Sequence, residues 1–189
     1  RSVLALLFPQ RNACHACGAP LTSGNGLLCD ACANTLRACA FTGGRAETVL
    51  GAEIACAASA YRYALTASSL VRALKFGSDQ TAALPLAEGM AAVYAAMPTL
   101  REATVCIPVP VHYWRLRRRG YNQAQVLCEA FAAIVGLPVR PDALVRKHHK
   151  RSQIGKGREA RLQNIAGAFG VGTTFAKPLR GASVLLVDD

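Results

Sequence analysis

The chain has 189 residues, 52% of them apolar, which is enough for a sizeable core and too many for wholesale disorder. Its net charge of +11, from 22 Lys and Arg against 11 Asp and Glu, favours polyanionic partners: nucleic acid, an anionic membrane surface or phosphorylated small molecules. No apolar run approaches spanning length, and Val3 to Phe8 is too short for a signal-peptide core, so the expectation is a cytoplasmic chain with no targeting segment and no membrane span.

Residues 10 to 45 differ from the rest. They hold Cys14-x-x-Cys17 and, eleven residues later, Cys29-x-x-Cys32, with the loop Ser23-Gly24-Asn25-Gly26 between. A two-residue gap lets both thiolates of a pair reach one ion across a tight turn. Two such pairs complete a closed tetrahedral zinc site, which is structural because no position is left for water or substrate. A redox Cys-x-x-Cys would account for one pair but not for two. His15 lies inside the first pair and could compete as a ligand, although four thiolates suffice. Without a secretory signal, the eight cysteines give little support to a disulfide framework. Cys56, Cys106 and Cys128 have apolar neighbours and read as buried small hydrophobes; Cys39 could be the remnant of a second ribbon. Thr42-Gly43-Gly44 is the candidate boundary, giving a zinc ribbon over 1–44 and a larger domain over 45–189.

After the boundary, residues 54 to 63 read as a strand. Residues 66 to 75 read as a helix with Leu70, Val71 and Leu74 on one face, and 82 to 97 as another with Leu86, Met90, Val93 and Met97 at helical spacing. Val105-Cys106-Ile107 is a short apolar run of the kind found in buried parallel strands. Residues 123 to 135 predict a helix with Val126, Leu127, Ala130, Phe131 and Ile134 on its stripe and Asn122 and Gln125 as a capping pair. A short strand is expected near Val139, and Val184 to Val187 is a second buried-strand run. Strands alternating with helices predict an α/β domain with a mostly parallel sheet and helices on both faces.

Three segments suggest anion chemistry. Ile107-Pro108-Val109-Pro110 ends a buried strand; a basic loop from His112 to Arg119 follows, and then Gly120-Tyr121-Asn122-Gln123 opens a helix. Ligands of open α/β sheets lie beyond the carboxyl ends of strands, and helix N-termini present free N–H groups to anions, so Arg115, Arg117, Arg118 and Arg119 suit a phosphate cradle. The same run also fits a solvated basic loop. A second basic loop runs from Arg146 to Arg158 and suits either a lid over an anionic substrate or a nucleic-acid contact. The chain closes on Val184-Leu185-Leu186-Val187-Asp188-Asp189, where two carboxylates emerge either into a crevice, able to meet ribose hydroxyls or water-bound magnesium, or into solvent.

Taken in order, these residues resemble the ComF family of competence-associated proteins. The resemblance runs through Leu6-Leu7-Phe8-Pro9, the two Cys pairs, Leu74-Lys75-Phe76-Gly77-Ser78-Asp79, Ile107-Pro108-Val109-Pro110 and Arg119-Gly120-Tyr121-Asn122-Gln123-Ala124. It continues through Gln153, Arg158, Arg161, Asn164 and Gly167-Ala168-Phe169 to Val184–Asp189, and so covers nearly the whole chain. It implies a type I phosphoribosyltransferase-like domain behind the zinc ribbon, similar to the transferase half of glutamine phosphoribosylpyrophosphate amidotransferases. On that resemblance the loop from Pro110 to Gln123, with Arg118, Arg119, Gly120, Asn122 and Gln123, would bind pyrophosphate. The segment ending at Arg158 would be the catalytic lid. Asp188 and Asp189 would touch ribose hydroxyls and magnesium. Lys75 and Asp79 belong to a family motif whose role the sequence does not supply. The family's signature continues past such an acid pair into a Thr/Gly-rich turn for the 5′-phosphate, so the domain is expected to be cut short at Asp189.

Three functions follow as expectations. The first is an accessory protein of DNA uptake in natural transformation that binds a phosphorylated ligand or single-stranded DNA. The second is an active magnesium-dependent phosphoribosyltransferase using phosphoribosylpyrophosphate, with acceptor and catalytic residues unassigned. The third is a scaffold whose zinc ribbon docks a DNA-uptake helicase.

Overall fold

The computed structural model describes residues 12–21, 26–41, 54–77, 79–147, 167–172 and 179–189. The Thr42-Gly43-Gly44 boundary, the Leu6–Pro9 motif and residues 148–166, including Arg158, lie outside the described residues.

The N-terminal module is one hairpin knuckle and one helix. Residues 12–21 fold back through the Ala13–Pro20 bridge, with Cys14 N–H donating to Ala19 O at 2.7 Å and Gly18 N–H to Cys14 O at 2.8 Å. Helix α1 spans Asp30–Ala38 and begins directly after Cys29. The second cysteine pair therefore lies on the first turn of a helix and not on a second knuckle. His15 N–H donating to Leu27 O at 3.0 Å closes the two halves together.

The segment expected as a strand over 54–63 makes only one described bridge, Tyr61 with Ala40. Its hydrogen-bonding partners are the residues just after α1: Phe41 N–H donates to Ala60 O and Arg62 N–H to Cys39 O. The β-type composition is thus used to join the N-terminal module to the domain. Tyr61 crosses the next helical layer, where its hydroxyl donates to Pro85 O at 3.1 Å. A Cβ at Gly89 would fall 2.0 Å from that hydroxyl, which accounts for glycine there.

Helix α2 spans Leu65–Phe76 and α3 spans Ala83–Ala96 after a 3-10 turn at Gln80–Ala82. A single turn, α4, follows at Pro98–Arg101. Strand β1 is Val105–Pro108, buried along its length. Helix α5 covers Tyr113–Arg119 and α6 Gln123–Val135. Strands β2 (Leu144–Arg146) and β3 (Phe169–Val171) pair antiparallel. Strand β4, Val184–Val187, lies parallel to β1, with Val105 opposite Val184 and Pro108 opposite Val187. The strand expected near Val139 is a parallel bridge on the other side of β1, to Cys106.

One core joins both parts of the chain. Leu36 and Cys39 from the end of α1 pack with Leu70 and Leu74 of α2, Leu86 of α3, Leu127 and Phe131 of α6, and Cys106 and Val187 of the sheet. Tyr94 meets Phe131 edge-on, with ring centroids 5.7 Å apart. Cys39 is a core residue rather than the remnant of a second ribbon, its thiol donating to Ala64 O at 3.5 Å. Cys106 and Cys128 are fully buried as expected, whereas Cys56 is half-buried.

Two patterns differ from expectation. The buried stripe of α6 runs through Ala124, Leu127, Cys128, Phe131 and Ala132, leaving Ile134 exposed. The small residues Ala124, Cys128 and Ala132 let the helix lie close to its neighbours, and a purely hydrophobic count overlooks them. In β4 only Val187 is buried. Register explains the rest: Val184 and Leu186 share the side of Val105 and Ile107. The described hydrophobic residues packed on that side are Ala143, Leu144, Leu179 and Ala182, none of them helical, whereas α6 packs on the Cys106 side.

Candidate metal centre and anion cleft

The four expected cysteines converge. The Sγ atoms of Cys14, Cys17, Cys29 and Cys32 all lie within 4.8 Å of one another, and Cys17 and Cys29 are 3.8 Å apart. A tetrahedron of thiolates about 2.3 Å from zinc has edges of about 3.8 Å, so the cluster fits that ion. Burial opposes ionisation of Cys14, but the backbone amides of Cys29, Cys17 and Ala16 outweigh it and bring the thiol down to about 6. Burial, and then the neighbouring thiols of Cys17, Cys29 and Cys14, push Cys32 up to about 12. Cys14 gives up its proton readily and Cys32 holds its own against that charge, as expected of a set whose charge a cation must balance.

His15 does not join this set. Its Nδ1 faces Asp79 Oδ2 at 2.5 Å and Thr81 Oγ1 at 3.2 Å, and the Thr81 hydroxyl donates to Asp79 Oδ1 at 2.6 Å. With the Thr81 proton given to the carboxylate, both contacts require the proton of the ring on Nδ1. Asp79 thus ties the knuckle to the turn after α2.

A cleft of about 510 Å³ opens at the C-terminal ends of β1 and β4. Val109 and Pro110 continue β1 into its floor, and Asp188 and Asp189 continue β4. Arg115, Arg118 and Arg119 enter from α5, Gln123 from the first turn of α6, Lys75 and Phe76 from the end of α2, and Arg146 from β2. Of the expected ligand residues, Lys75, Arg118, Arg119, Gln123, Asp188 and Asp189 line this one space. Gly120 and Asn122 are not among its lining residues and serve instead to end α5 and start α6, and Arg158 lies outside the described residues.

The basic loop expected over 112–119 is a two-turn helix. The His112 ring caps it, Nδ1 accepting from Trp114 N–H at 3.3 Å. Gly120 closes it at φ +85°, where a side chain would be strained. The chain then reverses, and Asn122 starts α6 by accepting from Ala124 N–H at 3.1 Å. Its amide also donates to Val109 O at 3.1 Å, fastening the start of α6 to the end of β1. Gln125 does not complete a capping box; its side chain donates to Glu129.

Within the cleft Lys75 Nζ is 3.1 Å from Asp189 Oδ2, a carboxylate only 6% exposed. Arg119 donates to Gln123 Oε1 and stacks over Phe76, 5.8 Å from the ring centroid. The Tyr121 hydroxyl donates to Leu74 O at 2.5 Å; burial raises its pKa, Arg119 opposes that and Asp79 adds to it. Asp188 is held above the ordinary carboxylate value by burial and by the Asp189 charge, against the Asp189 amide and Lys75. The sequence offered Phe76 only as part of a motif and Tyr121 only as an aromatic flanking the arginine cluster; it gave neither its contact here. Arg146 it placed in the second basic loop; the structure puts it in the cleft, 5.3 Å over the Phe169 ring, with its Nε buried and unpaired among the described residues.

Among the described residues no helix is long and apolar enough to cross a membrane. Part of the chain is 36% identical over 84 residues to Competence protein F of Haemophilus influenzae. The aligned part is 44% of this chain and spans about a third, 36%, of that protein. No family model matches the sequence, and no solved structure matches it. The relative bears out the ComF resemblance over that part of the chain.

Proposed function

We propose that this ComF-type chain takes a pyrophosphate-bearing phosphoribose, of the phosphoribosylpyrophosphate class, into the cleft between β1, β4 and α5 in a competence-related role. The observation that supports this is the meeting of five cations, Lys75, Arg115, Arg118, Arg119 and Arg146, with the acid pair Asp188–Asp189 at one end of a parallel strand pair. Phosphate oxygens match the guanidinium forks of α5, and fixed cations around a departing pyrophosphate would stabilise the charge it gains. Asp188 and Asp189 would accept hydrogen bonds from ribose hydroxyls. They would also hold a magnesium ion, which would supply charge neutralisation to the diphosphate. Lys75, 3.1 Å from Asp189, balances that carboxylate, a role that cations bound with the ligand would share.

The test is calorimetric titration of the full-length, zinc-loaded protein with phosphoribosylpyrophosphate and magnesium, repeated on the double variant Asp188→Asn, Asp189→Asn. Heat of binding in the parent and none in the variant is expected. A parent that does not bind removes the reading.

A second reading is single-stranded DNA along α5, favoured by a specific feature. Trp114 is 66% exposed and meets the exposed Tyr113 ring edge-on at 5.7 Å, while the Arg117 guanidinium lies 5.5 Å over Tyr113. Exposed rings beside arginines are the elements of a base-stacking surface.

A further inference from the structure

The C-terminal turn of α2 touches the zinc knuckle on one side and three separate walls of the cleft on the other. On the knuckle side, Asp79 takes the His15 ring at 2.5 Å and the Thr81 hydroxyl at 2.6 Å. Its own N–H donates to Ala73 O at 3.4 Å, next to the Gly77 N–H at 2.8 Å on the same carbonyl, so the carboxylate is fixed to the last turn of the helix. On the cleft side, Leu74 O accepts the Tyr121 hydroxyl from the α5–α6 turn, Lys75 holds Asp189 at the end of β4, and Phe76 lies under Arg119 of α5.

We infer that Asp79 is a positioning residue through which the zinc knuckle sets the geometry of the anion cleft. The His15 ring is held at its backbone by the folded knuckle, whose fold depends on the metal. That ring, through Asp79, fixes where α2 ends. The end of α2 in turn fixes Lys75, Phe76 and the Leu74 carbonyl. A ligand bound across Lys75, Arg119 and Gln123 would favour the same arrangement, so metal and ligand assist each other, and the coupling is reciprocal. Metal binding at the knuckle therefore governs the affinity of a site to which the knuckle contributes no side chain. The ligand part of this inference rests on the cleft reading proposed above; the mechanical part does not.

The experiment is hydrogen exchange followed by mass spectrometry on the full-length, zinc-loaded protein and on Asp79→Ala, with zinc content measured in parallel. The expected result is retained zinc and retained protection inside α6, with exchange faster by about tenfold at residues 75–77 and at residues 121–123, the second segment being remote from residue 79 in sequence. Affinity for magnesium pyrophosphate should weaken severalfold in the same variant. Unchanged exchange at residues 121–123 in a zinc-loaded Asp79→Ala overturns the inference. Should Asp79→Ala fail to fold, Thr81→Val, which removes one of the bonds on the carboxylate, is scored by the same two segments. If the parent protein binds no magnesium pyrophosphate, the cleft reading fails, while the exchange comparison still decides the coupling.

Discussion

At the residue scale, Asp188 shows a site costing stability. Burial and the neighbouring Asp189 carboxylate hold its pKa above the ordinary value of 3.8. The folded chain therefore keeps the proton to a higher pH than the unfolded chain does. As pH rises through the window between those values the folded state loses stability relative to the unfolded one, and the loss persists at neutral pH. Asp188→Asn, which carries no charge at any pH, should raise the melting temperature near neutrality and leave it nearly unchanged below about pH 3, where Asp188 is largely protonated in both states. Melts of parent and variant across that range check the sign; a variant less stable at neutral pH would show that Asp188 is held by favourable contacts instead. A variant both more stable and unable to bind ligand is the expected signature of a carboxylate kept for binding.

At the element scale, the start of α6 separates a contact the sequence revealed from one it did not. Asn122 followed by an apolar-periodic run predicts a helix start, and Asn122 does cap it. Its second bond, to Val109 O, joins residues thirteen apart and has no local signal. Asn122→Ala should cost about 1–2 kcal/mol, seen as a lower urea midpoint at unchanged slope. Gln125→Ala should stay within about 0.5 kcal/mol, because the hydrogen bond its side chain makes among the described residues is a local one to Glu129, one turn along the same helix. Equal effects at the two positions would restore the capping box. The long helices were legible because periodic apolar residues mark them, and the cysteine cluster was legible because its ligands come in tight local pairs. Helix α5 was not: Tyr113–Arg119 is seven residues long and dominated by arginines, so no apolar period stands out, and its ends are set by His112 and Gly120. The strand expected over 54–63 failed because composition registers extended backbone but not its partner, which proved to be the edge of the N-terminal module. The role of Asp79 was invisible for a related reason: its partner, His15, is 64 residues away.

At the scale of the whole molecule, the net charge of +11 has a concentrated part and a diffuse part. The concentrated part faces the cleft, where Arg115, Arg118 and Arg119 come from one short helix whose exposed aromatics are Tyr113 and Trp114. If single-stranded DNA lies along that helix, phosphates and bases should be read by different residues and separate in salt. Each phosphate neutralised contributes about −0.7 to the slope of log affinity against log salt concentration. Replacing Arg115, Arg118 and Arg119 together by Ala should flatten the slope by about 2 if each meets one phosphate. Trp114→Ala should instead leave the slope alone and weaken binding by about 1–3 kcal/mol, the usual worth of one stacked base. Fluorescence anisotropy with a labelled oligonucleotide at several salt concentrations measures both. A flat slope in the parent would assign the arginines to the small phosphorylated ligand alone. A steep slope with no effect of Trp114→Ala would reduce DNA binding to the diffuse charge that any chain this basic carries.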